Sequence, residues 1–178
     1  MIYEPREDSH LLLRFVKELA KGRVLDMGTG SGIQAIAAAE KPEVKEVIAV
    51  DIDDTALEAL RKKKNRKIKV IKSNLFMNIG GSFDVMVFNP PYLPDDENDK
   101  DIALDGGLQG FEFIERFLHE AKDYLTKDAF VIMVFSNRTG KEAVDRVITE
   151  QGYASELLEQ QNLAFFEELY VYKIMIAR

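Results

Sequence analysis

Short apolar runs alternate with segments of helical period along most of this chain, and that alternation restricts the fold more than any single residue does. Arg23–Asp26, Val47–Asp51, Ile68–Ile71, Phe83–Phe88 and Ala129–Phe135 are short and rich in Val, Ile and Phe, as strands buried on both faces are. Between them, 33–40, 55–64, roughly 109–125 and about 140–151 are expected to be helices. Residues 8–20 precede the first strand with Leu11, Leu12, Phe15, Val16 and Leu19 at helical spacing, and Asp8 or Ser9 is the expected N-cap. Strands that alternate with helices build a parallel sheet covered on both faces. The pattern breaks at the end, where Tyr153–Gln160 and Leu169–Ile176 have no helix between them and should pair as an antiparallel hairpin. The expectation is one α/β domain over 1–178: an N-terminal helix (1–21), βα units (22–151) and a closing hairpin (152–178) on a seven-stranded, mostly parallel sheet.

Ligands of such sheets bind at the carboxyl ends of the strands. Three of those ends carry distinctive residues. The first strand leads into Asp26-Met27-Gly28-Thr29-Gly30-Ser31-Gly32, a turn that lets a ligand approach the backbone. A dinucleotide fingerprint requires its third glycine at 33, which is Ile33, so the spacing disfavours NAD. Asp51 ends the second strand, placed to accept from a ribose diol, while Asp53 and Asp54 suit the N-cap of the next helix better. Asn74 follows the third strand and is either a turn asparagine or an acceptor for an adenine amino group. Asp26 either faces a ligand ammonium or braces its loop. No phosphate-binding Lys or Arg is near, and S-adenosylmethionine, with adenine, ribose, carboxylate and cationic groups, fits this set.

The fourth strand ends in Asn89-Pro90-Pro91-Tyr92. The prolines have no N–H, so the main chain there presents only acceptors. Asn89 adds a side-chain carbonyl, and Tyr92 adds a flat ring. Such groups suit a planar nitrogen donor, either an amide NH2 or the amino group of a base. The bland alternative is a strand-ending turn, which the matching glycine loop upstream makes the weaker reading.

These residues together resemble the HemK family of glutamine methyltransferases, which modify peptide-chain release factors. The opening Tyr3-Glu4-Pro5-Arg6-Glu7-Asp8-Ser9 and the segment Asp105-Gly106-Gly107-Leu108-Gln109-Gly110 are similar to its archaeal and eukaryotic branch. The resemblance covers nearly the whole chain and implies a Rossmann-like class I methyltransferase fold. By it, Ser9, Asp26, Gly28, Gly30, Asp51, Asn74, Leu75 and Asn89 line the cofactor. Asn89, Pro90, Pro91 and Tyr92 hold the substrate amide, with Asn89, Pro90 and Tyr92 taking part in the chemistry. Two departures stand out: family members usually carry Asp at position 74, and the extra N-terminal helical domain of bacterial relatives is not expected here. The same branch works with a small zinc-binding activator protein, so such a partner is expected as well.

An amide nitrogen is a weak nucleophile, its lone pair delocalised into the carbonyl. Acceptors on Asn89 Oδ1 and the Pro90 carbonyl orient it and stabilise the positive charge that grows on nitrogen, so no strong base is needed before transfer. That suits a chain whose histidines are His10 and His119: no role is assigned to His10, and His119 is read as a surface or boundary residue. A net charge of -7 offers no global attraction for nucleic acid. That weakens a second reading, a DNA or RNA adenine amino methyltransferase, since such enzymes must grip and flip a base. A third reading, a non-catalytic cofactor-binding subunit, has no use for an intact Asn-Pro-Pro-Tyr. There are no cysteines, hence no disulfides or thiolate metal sites, and no metal is expected. With neither a secretion signal nor a membrane-length apolar run, a soluble cytoplasmic enzyme is expected.

The basic run Arg61–Lys67 complements a helix C-terminus, the alternative being RNA or an acidic partner. Phe111, Phe113, Ile114, Phe117 and Leu118 form the core face of a helix. Phe165 and Phe166 fall between the last two strands and, if exposed, mark an interface.

Overall fold

The computed structural model describes residues 4–91 and 110–178. Seven strands form one sheet in the order β3-β2-β1-β4-β5-β7-β6, with β1 Gly22–Met27, β2 Val44–Asp51, β3 Ile68–Lys72, β4 Phe83–Phe88, β5 Leu125–Ser136, β6 Tyr153–Asn162 and β7 Glu168–Ile176. The first five are mutually parallel, while β7 runs antiparallel to both β5 and β6. The predicted architecture is present, hairpin included.

Strand periodicity divides the core in two. Leu25, Met27, Ile48, Val50, Met86 and Phe88 point to one face, where α4 (Glu112–Ala121) and α5 (Lys141–Glu150) pack. Val24, Val47, Ala49, Val85 and Val87 point to the other, against α1 (Glu7–Leu19), α2 (Ile33–Glu40) and Leu60 of α3 (Asp54–Lys62). Both faces of the strands are therefore dry, and the runs carry no polar alternation for that reason. Phe88 stacks on Phe117 with centroids 4.0 Å apart, fixing the end of β4 against α4.

Several boundaries differ from expectation. α1 begins at Glu7 with Arg6 as its N-cap, so Asp8 and Ser9 are not caps; both are buried in the first turn. The helix expected over 109–125 runs only from Glu112 to Ala121, since Lys122–Tyr124 form a tighter turn. β5 starts four residues early, at Leu125, its first four residues partly or fully exposed. Among the described residues, no helix is long and apolar enough to cross a membrane. His119 lies at the surface as expected, 3.4 Å from Gln151 Oε1, and Arg61 and Lys62 occupy the last turn of α3.

Candidate active site

Register places the distinctive strand ends side by side. Met27 is level with Val50 on one neighbour and with Phe88 on the other, so Gly28, Asp51 and Asn89 follow at one height. Strand order reverses between β1 and β4, which opens a crevice at that point.

The glycine turn is built around two carboxylates. Asp26, 2% exposed, accepts from the Thr29 hydroxyl at 2.6 Å and from the Ala35 N–H at 3.0 Å, both on Oδ2. Of its two expected roles, these bonds show the bracing one. Gly32 caps α2 at φ +78, and a Cβ there would sit 2.6 Å from Leu60 Cδ1, so a side chain is doubly excluded. At Gly28 (φ +67) a Cβ would meet nothing within 4 Å, and the backbone stays open to a ligand. Asp51 Oδ2 accepts from Gly30 N–H at 2.8 Å, and its Oδ1 accepts from Ile52 and Asp53 N–H at 2.8 and 3.0 Å. A carboxylate has about four lone-pair sites, so capacity remains for a ligand hydroxyl. Asp53 takes the α3 N-cap, accepting from Thr55 N–H at 2.8 Å, which frees Asp51 from that duty.

Burial lifts the Asp26 carboxyl from its ordinary 3.8 to about 7, outweighing the Thr29 and Ala35 hydrogen bonds, and the Asp51 charge adds to the rise. An unfolded chain releases this proton near pH 4, while the folded chain keeps it until near 7. Stability from this group is therefore full below pH 4 and is lost as pH rises to 7, by up to about 4 kcal/mol. Urea denaturation of the ligand-free protein from pH 4 to 8 should show the decline, and Asp26→Asn should flatten it.

After β3, Leu75 takes a left-handed backbone (φ +47) while buried. Ser73 holds that turn, its hydroxyl donating to the Leu75 carbonyl at 2.8 Å and accepting Asn78 N–H at 2.9 Å. Asn74 is exposed there, and its carbonyl accepts Met77 N–H at 3.3 Å. The turn is thus held by Ser73 and backbone, so the Asn74 amide is not needed for it.

Asn89 is the least expected piece of geometry. Its Nδ2 donates to Asp8 Oδ2 at 3.1 Å and to Ser9 Oγ at 3.3 Å, across from β4 to the first turn of α1. Its Oδ1 is buried and has no partner among the described residues. An orphaned buried acceptor costs about 1–3 kcal/mol, so it marks a position where a donor is meant to arrive. Pro90 is buried and Pro91 half-buried beside it, while Tyr92 lies outside the described residues, as does most of the 105–110 segment.

Two participants were not foreseen. Asp8 is an orienting carboxylate for Asn89, stabilised in the first turn of a helix, where negative charge is favoured. Gln34, 5% exposed in α2, donates to the Ser9 carbonyl at 2.8 Å and leaves its Oε1 buried without a partner among the described residues. The available signal was a lone amide among Ala35, Ala37, Ala38 and Ala39. Ser9 is thereby tied to both Gln34 and Asn89.

A family model described as the methyltransferase small domain matches residues 6–163. The chain belongs to that family. A relative from Methanocaldococcus jannaschii, assigned by inference as a protein N5-glutamine methyltransferase, is 37% identical over 96% of this chain and 89% of its own. A release factor glutamine methyltransferase of Deinococcus radiodurans is 30% identical over 72% of this chain, and a ribosomal protein uL3 glutamine methyltransferase of Bradyrhizobium diazoefficiens is 32% identical over 72%. The chain spans about half the length of these two bacterial relatives, 51% and 44%. Among solved structures, the E. cuniculi Mtq2–Trm112 complex, described as responsible for methylation of the termination factor eRF1, aligns with a TM-score of 0.79. It is 28% identical, and the alignment covers 98% of each chain. The fold is that of the class I methyltransferases, and S-adenosylmethionine is the methyl donor of this enzyme class. The open Gly28 backbone, the residual acceptor capacity of Asp51 and the exposed amide of Asn74 fit such a donor, and none of these groups asks for a phosphate.

Proposed function

We propose that this chain transfers a methyl group to the side-chain amide nitrogen of a glutamine in a peptide-chain release factor, in its Gly-Gly-Gln loop. The observation that carries this reading is the buried Asn89 Oδ1, which has no partner among the described residues while Asp8 and Ser9 hold the Nδ2 side of the same amide. A free amide NH2 has two donors. One is accepted by Asn89 Oδ1 and the other by the Pro90 carbonyl, which leaves the nitrogen lone pair facing away from both.

S-adenosylmethionine supplies an electrophilic methyl on a sulfonium. Asp51, Gly28, Gly30, Asn74 and Leu75 hold it, with Ser9 nearby and Asp26 stiffening the loop. Asn89 then plays two parts: it orients the amide and stabilises the charge that develops on nitrogen. Its own orientation is fixed because Asp8 accepts from Nδ2, so the amide cannot flip without placing oxygen against carboxylate. The extra proton leaves after transfer, and no base is required before it.

The substrate's owner is drawn from the relatives, among which release-factor and uL3 enzymes both occur. The likeness to a chain solved with Trm112 over its full length favours the release factor, and it favours a small partner protein, zinc-binding by resemblance, for this chain too. A labelled-methyl assay tests both points, with release factor, its Gln→Ala loop variant, ribosomal protein uL3 and transfer RNA as acceptors, with and without the small zinc protein. Label on the factor alone, lost in the Gln→Ala variant, is the expected result. Label on RNA but not on protein overturns the proposal.

A further inference from the structure

The β6–β7 hairpin ends in a tight turn whose residues are ill suited to it. Glu167 N–H donates to the Ala164 carbonyl at 3.3 Å, closing a β-turn with Phe165 (φ 58, ψ 34) and Phe166 (φ 61) at its centre. Two consecutive positive φ values define the type I′ turn, whose central positions favour Asn-Gly for steric reasons. Phenylalanine gains nothing from such a backbone, and here neither ring is repaid by burial: they are 91% and 97% exposed. The turn is nonetheless firmly held. Asn137, just past β5, donates from Nδ2 to the Phe166 carbonyl at 2.9 Å and accepts Glu168 N–H on Oδ1 at 3.1 Å. Arg138 pairs with Glu167 at 3.4 Å.

The tip rises from the same edge of the sheet as Asn89. Phe88 is level with Met133, and Met133 with Tyr172, so Phe166 stands six residues beyond that height on a strand two places away. At about 3.3 Å per residue and ~4.8 Å between strands, it projects roughly 20 Å past Phe88 and about 10 Å to the side. A single glutamine on Asn89 does not reach that far, whereas a folded protein presenting that glutamine on a loop overhangs it. We infer that Phe165 and Phe166 are an apolar anchor for the body of the protein substrate, engaging it away from the methylated loop. Aromatic side chains, Phe among them, are enriched at protein interfaces relative to the rest of the surface, and two exposed rings held rigidly side by side present such a contact. This inference rests on the amide-methylation reading above.

The test is the double variant Phe165→Asn/Phe166→Gly in the full chain, assayed with the small zinc protein present and intact release factor as acceptor. Restoring the residues the turn favours should raise the urea midpoint. KM for the factor should rise tenfold or more, with kcat at saturating factor and the Kd for S-adenosylmethionine unchanged. An unchanged KM overturns the anchor, as does a fall in kcat alone. Loss of a homodimer in sedimentation, with KM for the factor unchanged, overturns it in favour of self-association. If the unaltered enzyme fails to methylate the factor at all, the amide reading fails and the anchor with it, an outcome distinct from the others.

Discussion

Asn89→Ala is expected to lower kcat for methyl transfer by on the order of a thousandfold or more while leaving S-adenosylmethionine affinity within a few-fold. In the proposed reaction the substitution removes the buried acceptor for the amide N–H, so both orientation and charge stabilisation would disappear. Cofactor affinity is spared because the Asp51 and Asp26 hydrogen bonds lie on β1 and β2 and contain no Asn89 atom. Some stability is lost, since Asp8 Oδ2 and Ser9 Oγ each give up a hydrogen bond from Nδ2. Single-turnover rates with saturating factor, beside calorimetric titration of the cofactor, separate the two effects. Normal turnover in Asn89→Ala would remove the mechanism. Asn89→Asp is an instructive companion: it keeps an acceptor but replaces the donor that Asp8 accepts with a second carboxyl about a hydrogen-bond length away, so the orienting contact is lost.

Asp51→Ala is the second large effect, and it falls on binding. One carboxylate organises three N–H groups, from Gly30 on the glycine turn and from Ile52 and Asp53 beyond β2. Hydrogen bonds to a charged group contribute about 1.5–3 kcal/mol each. Loss of the Gly30 bond together with one ligand hydroxyl contact is therefore expected to weaken S-adenosylmethionine binding by on the order of a hundredfold or more. Titration calorimetry checks this, and kcat at saturating cofactor should fall far less than the affinity. Equal affinity in the variant would remove Asp51 from the cofactor site.

How far the sequence foretold these arrangements varies with the range of the interactions. α2 and β4 have the predicted boundaries, Ile33–Glu40 and Phe83–Phe88, because local signals bound them: glycines before the helix, a double proline after the strand. The closing hairpin followed from the missing helix between its strands. Asp53 as the α3 cap was likewise a local matter. The first turn of α1 was not legible, since Asp8 and Ser9 meet Asn89 about eighty residues away, and a polar residue near a helix start reads as a cap until that contact is known. Gln34 was missed for the same reason, its partner being the Ser9 carbonyl. β5 was begun late because Thr126, Lys127 and Asp128 are polar, although Leu125 pairs with Phe83 and the strand continues through to Ser136. Phe165 and Phe166 were recognised as lying between strands, but not their left-handed backbone, which comes from hairpin closure and the Asn137 clamp.

In the proposed reaction the atom receiving the methyl group is an amide nitrogen directed by Asn89. Release factor incubated with this enzyme, the small zinc protein and S-adenosylmethionine, then digested and sequenced by tandem mass spectrometry, locates that atom. One added methyl group is expected on the side-chain amide of the Gly-Gly-Gln glutamine, absent from the reaction with Asn89→Ala. A methyl group on a lysine, a carboxylate or a nucleic-acid base, with that glutamine unmodified, would contradict it.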